Sequence, residues 1–542
     1  MNTFLKTYRL ALTPLSPIHI GCGEDFEPTN YVIDDGVLYG FDPSRAVLNE
    51  TQTRKLADAA NKASLLAIQR FFKDHAKTFQ ALADVLIPVC SGVAEKYEKD
   101  IGRATNIEAS GNQVFNRFII ERTISTGRLS QAYIPGSSFK GAIRTSMLDA
   151  LNKEQRVMRN DDLERRLFKG EFETSPLRLV KIADLMPSYE PARRIVYAVN
   201  RKKAQIIKDG QELQPKGIAA RKECILQGQY RLFTADAVLQ SLDSHQDGKT
   251  TPARELRPTD FRLIAKQSNT YNLTRLRREL AVLDGRGFVN PAWKNAMESL
   301  LAGELGTKVD SGDAFLIRLG RYGGAESKTL SGEGVAQIKI MQGKGQPPIV
   351  QSETKTVWLA AEHDTDQKHL LPFGWAVVEI DPLADLPQLK AWCQAESKKH
   401  PNMVELRQSF DAEKAAALQH KADLADQAVA QAAAKLAEEL ACQARAVQLA
   451  AMAPQAKLIE VLRQKYEAWV VRDFKKQSAD IGKAGFYKDA SDLTSQALES
   501  NDWTAADRLA LANMLETWLP KVIAPWEKDQ RKKLKLSALK GL

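Results

Sequence analysis

Two stretches near the start of the sequence alternate between apolar and polar positions and are rich in β-branched and aromatic side chains. The alternation covers residues 7–15 and 31–41, and the turn sequence Asp34-Asp35-Gly36 interrupts the second stretch. Asp-Gly between two alternating runs is typical of a β-hairpin. The chain is therefore predicted to begin with β-structure.

Helical spacing replaces this alternation over residues 44–93, where Leu65, Ile68 and Phe72 recur as on one helical face. Another helix is predicted for residues 138–151, and strand patterns return at residues 315–317 and 376–380.

The pattern changes again after about residue 400. Residues 404–455 contain neither Gly nor Pro before Pro454, which predicts a helix of about 50 residues. Amphipathic, aromatic-containing segments follow in residues 456–520. Four domains are predicted. Residues 1–185 form a β-rich module with a helical insertion, and residues 186–385 form a second module with a basic insertion. Residues 400–455 form a long Ala-rich helix, and residues 456–542 form a small helical domain with a basic tail.

Residues 133–144 combine a glycine-containing turn with cations at the start of a predicted helix. Gly136 and Gly141 permit close approach of backbone to a ligand, Ser137 and Ser138 can cap amides or bind oxyanions, and a helix N-terminus favours anions. Lys140 and Arg144 are four residues apart and share a helical face. The same residues also fit an ordinary turn and N-cap with solvated cations, so both interpretations stay open. Ala142 and Ile143 follow Gly141, which excludes a Walker A loop.

A second glycine-rich loop follows the predicted strand at residues 315–317. It contains Gly320, Arg321, Gly323 and Gly324, and Lys328 comes shortly after. A strand that ends in such a loop is typical of a site where backbone approaches a ligand.

Charge favours an anionic partner, because 77 Lys and Arg stand against 67 Asp and Glu, a formal net charge of +10. The basic residues concentrate between residues 193 and 278, including Lys266 and Arg275, and Tyr197, Tyr230 and Tyr271 are interleaved with them. Cations beside rings that can stack bases suggest a path for single-stranded RNA, and solvated loops are the alternative interpretation.

Cysteine spacing indicates neither a zinc ribbon nor a disulfide framework, since the five cysteines include no Cys-x-x-Cys pair. His363 and His369 with Asp364 and Asp366 are a weak metal candidate. We expect no metal, no cofactor and no membrane association. Without a signal peptide or an apolar run of about 18 residues, a cytoplasmic location is expected.

Three motifs together resemble the RAMP superfamily of CRISPR-associated RNA-binding proteins. They are Pro17-Ile18-His19-Ile20-Gly21-Cys22-Gly23, the segment from Ile134 to Arg144, and the loop from Leu319 to Gly324. Within this superfamily, the hairpin at residues 31–39 and Phe373-Gly374-Trp375 look most like the subunit that caps the type III-A (Csm) complex at the crRNA 3′ end.

The resemblance implies an α+β fold of two ferredoxin-like, RRM-type modules, to which the helical C-terminal extension is added. It implies crRNA, target RNA, other RAMP backbone subunits and host nucleases as partners. Together with the two glycine loops and the basic interval, it gives a predicted RNA-binding set of His19, Gly21, Gly23, Gly136, Ser137, Ser138, Lys140, Gly141, Arg144, Lys266, Arg275, Gly320, Arg321, Gly323, Gly324 and Lys328.

Thr29 stands where related target-cutting subunits carry an Asp, so a subunit without catalytic residues is expected, although Glu24, Asp25, Asp34 and Asp35 lie nearby in the sequence. The main alternative is a metal-independent RAMP endoribonuclease that processes precursor crRNA, with His19 as general acid or base. A pure assembly scaffold is a third hypothesis. For His19 itself, a structural role beneath a glycine turn is favoured over a catalytic one.

Overall fold

The computed structural model forms two compact units, Met1–Lys414 and Ala415–Leu542. The structure describes residues 4–62, 64–107, 113–127, 131–157, 162–208, 210–212, 219–242, 251–332, 335–341, 345–472, 475–479 and 485–541.

The strands are β1 Leu5–Pro14, β2 Gly21–Phe26, β3 Tyr31–Asp34, β4 Val37–Gly40, β5 Val85–Pro88, β6 Ala104–Ile107, β7 Gln113–Phe115, β8 Ile120–Thr123, β9 Ser125–Thr126, β10 Gln131–Ala132, β11 Val180–Ile182, β12 Met186–Pro187, β13 Arg193–Lys202, β14 Ile207–Lys208, β15 Gln211–Glu212, β16 Ala220–Ile225, β17 Phe233–Gln240, β18 Ala314–Arg318, β19 Ile338–Ile340, β20 Ile349–Gln351, β21 Thr356–Ala361, β22 Leu371–Pro372, β23 Trp375–Ile380, β24 Gln477–Ser478 and β25 Ile523–Ala524.

The helices are α1 Glu50–Asn61, α2 Leu65–Asp74, α3 Ala76–Gln80, α4 Ser91–Asp100, α5 Gly136–Asn152, α6 Leu163–Leu167, α7 Phe261–Gly285, α8 Pro291–Ala302, α9 Glu304–Ser311, α10 Pro387–Ser397, α11 Met403–Ala451, α12 Pro454–Val471, α13 Phe486–Glu499, α14 Ala505–Val522, α15 Lys528–Lys533 and α16 Leu536–Leu539.

The first large sheet has the order β11–β17–β1–β23–β18, with β12 beside β17. In sequence, β1–α5–β11–β17–α7–β18 follows the strand–helix–strand–strand–helix–strand order of a ferredoxin-like module, and β23 is inserted between β1 and β18. Phe139 and Ile143 of α5 and Phe261 of α7 pack with Phe315 and Ile317 of β18 in the core on one face of this sheet.

The second large sheet has the order β2–β8–β16–β13–β21–β22, in which only the described β16–β8 pairing is parallel. A shared core lies between the two sheets and includes Tyr197 and Leu359 from the second sheet and Leu316 and Trp375 from the first. The predicted α+β fold with ferredoxin-like modules and a helical C-terminal extension is confirmed.

Each large sheet takes strands from both sides of residue 185, where the sequence pattern placed a boundary between residues 1–185 and 186–385. That boundary does not separate the two sheets, because β1 pairs with both β17 and β23. The predicted hairpin at residues 31–39 consists of β3 and β4, and Asp35 and Gly36 between them have φ values of +46° and +72°, as a tight hairpin turn requires.

The long helix predicted for residues 404–455 is α11, and its side chains are almost all exposed from Val404 to Ala451. In the C-terminal unit, α12, α13, α14 and α16 surround a separate core that contains Tyr466, Phe486, Leu515 and Leu536. No helix among the described residues is long and apolar enough to cross a membrane.

Candidate functional site

Two of the glycine segments identified in the sequence meet in the structure. The backbone amide of Arg321 donates a 2.9 Å hydrogen bond to the carbonyl of His19. Gly320 has φ +78°, and a Cβ at this position would lie 2.2 Å from the same carbonyl oxygen. Only glycine allows this approach without displacing backbone. We call His19, Gly21, Gly23, Gly320 and Arg321 the glycine junction.

His19 is the member of this junction whose side chain is fully buried. Its Nδ1 is 2.7 Å from the carbonyl oxygen of Glu223, and its Nε2 is 3.6 Å from a carboxylate oxygen of Glu121. Burial lowers the pKa of His19, more than the Glu223 carbonyl and the Glu121 charge raise it. The imidazole is therefore held neutral near pH 7 and has no contact with solvent.

Glu121 is the charged centre of the junction. Its carboxylate forms ion pairs with the buried Lys222 and with Arg321, whose Nη1 lies 2.7 Å away. Burial raises the pKa of Glu121, but the hydrogen bond and charge of Lys222 and the charge of Arg321 outweigh it and lower the pKa overall. Because the Arg321 side chain is 60% exposed, it is the cation that the junction presents to a ligand.

Gly136 has a different role from the junction glycines. It is buried, its amide donates a 2.7 Å hydrogen bond to Asp184 Oδ1, and a Cβ there would lie 2.5 Å from the carbonyl oxygen of Ile182. Close packing against β11 therefore requires this glycine. Helix α5 starts directly after Pro135, so Ser137 and Ser138 lie inside its first turn, and the helix has no side-chain N-cap bond.

Further along α5, Gly141 is exposed and a Cβ there would meet open space. Lys140 is half-buried, and its pKa is lowered first by burial and then by the charge of Lys181. Arg144 forms an ion pair with Glu164.

Arg144 also lines a cleft of about 270 Å³ together with Lys328. Lys328 is exposed and has no ion pair among the described residues. The cleft therefore combines one cation of α5 with one cation of the second glycine-rich loop. Neither sequence motif predicted that these two residues would line the same cleft.

A neighbouring cavity of about 460 Å³ is lined by Gly323, Gly324 and Arg275 among others. Arg275 fastens the loop, because its guanidinium donates to the carbonyls of Glu326 and Thr329 at 3.1 and 3.0 Å and lies 3.4 Å from the centre of the Tyr271 ring. The guanidinium N–H groups of Arg275 that donate hydrogen bonds are thus used within the loop. The predicted contact of Arg275 with RNA stays a prediction. Lys266 is exposed on α7 beside Gly312.

Residues 319–330 thus form one loop that begins at the glycine junction and ends at the cleft with Arg144. Glu326 holds the middle of the loop: its carboxylate accepts hydrogen bonds from Lys203 at 2.7 Å and from the Thr354 amide at 2.6 Å. Burial alone would raise its pKa, yet these bonds and the Lys203 charge lower the pKa to about 2.

Sequence reasoning missed the acidic partners of this site, namely Glu121, Asp184 and Glu326, and the buried Lys222. None belongs to a recognisable motif. The nearest signal was Lys222 in a strand whose other residues include Cys224 and Ile225, since a lysine in a buried strand needs a carboxylate partner.

The histidines at residues 363 and 369 do not assemble a metal site, and no cluster of metal-ligating side chains occurs in the described parts of the chain. One ring nitrogen of His363 lies 3.7 Å from a carboxylate oxygen of Glu95, and the other lies 3.7 Å from a carboxylate oxygen of Asp366.

A family model described as the RAMP superfamily matches residues 11–279. No curated protein matches the sequence. Among solved structures, the chain is similar to Csm5 of T. onnurineus, with 15% identity and a TM-score of 0.42. It is also similar to a chain of a Csm–crRNA–target RNA ternary complex of a type III-A CRISPR-Cas system, with 16% identity and a TM-score of 0.41. Each similarity covers 69% of this chain and 100% of the other.

Proposed function

Because the chain belongs to the RAMP superfamily, we propose that it is a non-catalytic crRNA-binding subunit of a type III CRISPR interference complex. In this proposal it caps the complex at the crRNA 3′ end and supports assembly and crRNA maturation. Its partners are crRNA, target RNA and neighbouring RAMP subunits.

One observation carries the proposal. The loop of residues 319–330 joins the glycine junction to the cleft shared with α5, so one loop connects three motifs that are far apart in sequence. Exposed backbone at the glycines can follow a phosphate chain, and Arg321 and Lys328 supply cations at its two ends. The position at the crRNA 3′ end and the type III-A subtype are inferred from the resemblance of the sequence motifs alone.

The burial of His19 supports binding over cleavage. A general acid or base must reach the scissile group, yet the His19 side chain has no exposed surface and its Nδ1 is occupied by the Glu223 carbonyl. The endoribonuclease alternative predicts cut product from precursor crRNA in EDTA that disappears in His19→Ala. Such a product would contradict the non-catalytic proposal.

The binding proposal is tested with the double variant Arg321→Ala, Lys328→Ala in the full chain. We expect its affinity for guide RNA to fall and the slope of log affinity against log salt to decrease by about 1.4, as for two single-strand phosphate contacts. Lys55→Ala with Lys62→Ala is the matched control, since both lysines are exposed on or beside α1 and the charge change is the same. Equal affinity of the two double variants would contradict the proposal.

The 3′-end assignment has its own test. Guide RNA carrying a photoreactive uridine at its 3′ end should crosslink to residues 319–330 in the reconstituted complex. The same label at the 5′ end should not. Crosslinking from the 5′ end alone would leave RNA binding intact and overturn the capping role.

A further inference from the structure

The C-terminal unit presents a cluster of exposed cations far along the chain from the glycine loops. We call this cluster the C-terminal basic face, and it consists of Lys475, Lys476, Lys521, Lys528, Arg531, Lys532, Lys533 and Lys535. None of them forms an ion pair within the described residues, and only Glu527 and Asp529 supply exposed acids between residues 521 and 535. The face therefore keeps its positive charge available.

The fold of the unit brings these cations together. Strand β24 pairs in parallel with β25, with Gln477 opposite Ile523, which places Lys475 and Lys476 beside the end of α14 and Lys521. Leu534, Leu536 and Leu539 are buried in the core and anchor the final segment. Because Leu534 points inward, Lys528 and Lys532 project from the opposite side of α15.

Two tryptophans lie within the basic face. The Lys521 ammonium is 4.4 Å from the centre of the Trp518 ring, and the Arg531 guanidinium is 5.6 Å from that of Trp526. Both rings are half-buried, so each is fixed by the core while flexible cations lie over it. A base can replace such a cation on a ring face, since stacking tolerates any base.

We propose that the C-terminal basic face binds single-stranded RNA, with its lysines following the phosphates and Trp518 and Trp526 stacking bases. A membrane surface fits less well, because no large apolar side chain is exposed to enter a bilayer between Lys521 and Lys535, the segment that carries six of the eight cations. This second RNA contact is independent of the loop of residues 319–330 and goes beyond the proposed capping role.

The experiment starts from the full-length Arg321→Ala, Lys328→Ala protein, so that the first site is already weakened. In that background we compare Lys528→Gln, Lys532→Gln, Lys533→Gln with the control Lys435→Gln, Arg445→Gln, Lys457→Gln. The control residues are exposed in the same unit and remove the same charge. Fluorescence anisotropy with a labelled 30-nucleotide oligouridine should show at least fivefold weaker binding for the first triple variant, and a salt slope lower by about 2.

Stacking is tested separately. Trp526→Phe should retain crosslinking of 4-thiouridine RNA to the peptide of residues 518–535, whereas Trp526→Leu should reduce it at least fivefold. Because the Trp526 ring packs against the core, both variants are compared at a temperature well below their Tm. Equal RNA affinity of the two triple variants overturns the proposal. The proposal is also overturned if the first triple variant loses binding to phosphatidylserine vesicles but keeps its RNA affinity. If the triple variant weakens binding but Arg321→Ala, Lys328→Ala does not, the proposed function fails and this second contact stands.

Discussion

At the scale of single residues, glycine is used in two physically different ways. Gly320 has a left-handed backbone and touches the His19 carbonyl, whereas Gly141 lies in the interior of α5 with open space where a side chain would be. Identical residues in similar motifs therefore carry opposite expectations for substitution.

We expect Gly320→Ala to destabilise the protein by about 2 kcal/mol or more, because alanine at φ +78° is strained and its Cβ would be 2.2 Å from the His19 carbonyl oxygen. Gly141→Ala should instead stabilise by roughly 0.5–1 kcal/mol, since alanine is the better helix former. Urea unfolding measures both. Equal effects of the two substitutions would show that the junction does not constrain the loop.

The pH dependence of stability should report Glu326. Its folded-state pKa is lowered to about 2 from the ordinary value of 4.5, so its contribution is fully present above about pH 4.5 and is lost as the pH falls toward 2. This contribution is on the order of 3 kcal/mol. In unfolding experiments from pH 7 to pH 2, the stability difference between wild type and Glu326→Gln should shrink in that window. A constant difference would contradict the assigned ion pair with Lys203.

At the scale of elements, the alternation and the helical spacing in the sequence were sufficient to predict the β3–β4 hairpin, α5, β18, β23 and α11, because each depends on local pattern. The partners of each element were not predictable in this way. Ladder pairing such as β1 with β23 joins residues more than 350 positions apart, and neither strand carries a signal that identifies the other.

In the candidate site too, local features were predictable from the sequence and distant partners were not. Its glycines and cations stood out as motifs, and the resemblance linked them, but Glu121 and Asp184 became visible only through contact with Arg321 and Gly136. An isolated Glu in a short strand has the same sequence appearance whether it is solvated or pairs with a buried lysine. For that reason the electrostatics of the junction could not be derived from the sequence.

Helix α11 is exposed along almost its whole length. Since its side chains make almost no buried contacts, tertiary packing contributes little to its stability. Amide exchange over residues 418–440 should be at least tenfold faster than over α14, whose Leu511, Leu515 and Leu519 are fully buried. Hydrogen exchange with mass spectrometry, at two protein concentrations, makes the comparison. Amide protection in α11 as strong as that in α14 would contradict an unpacked helix. An increase of that protection at the higher protein concentration would indicate self-association.

At the scale of the whole molecule, the two units have separate cores. Leu515→Ala should therefore destabilise the C-terminal unit by about 2–5 kcal/mol through loss of buried contacts in the core that includes Tyr466 and Phe486. Leu316→Ala is the counterpart in the core between the two sheets. In differential scanning calorimetry we expect each substitution to lower a different transition. A single transition shifted equally by both would show that the units unfold as one.

The position of β1 in the first large sheet has a consequence for synthesis of the protein. β1 is synthesised before β23, which covers one of its edges and ends at Ile380. Until Ile380 leaves the ribosome, that edge has unpaired backbone groups and can pair with another nascent chain.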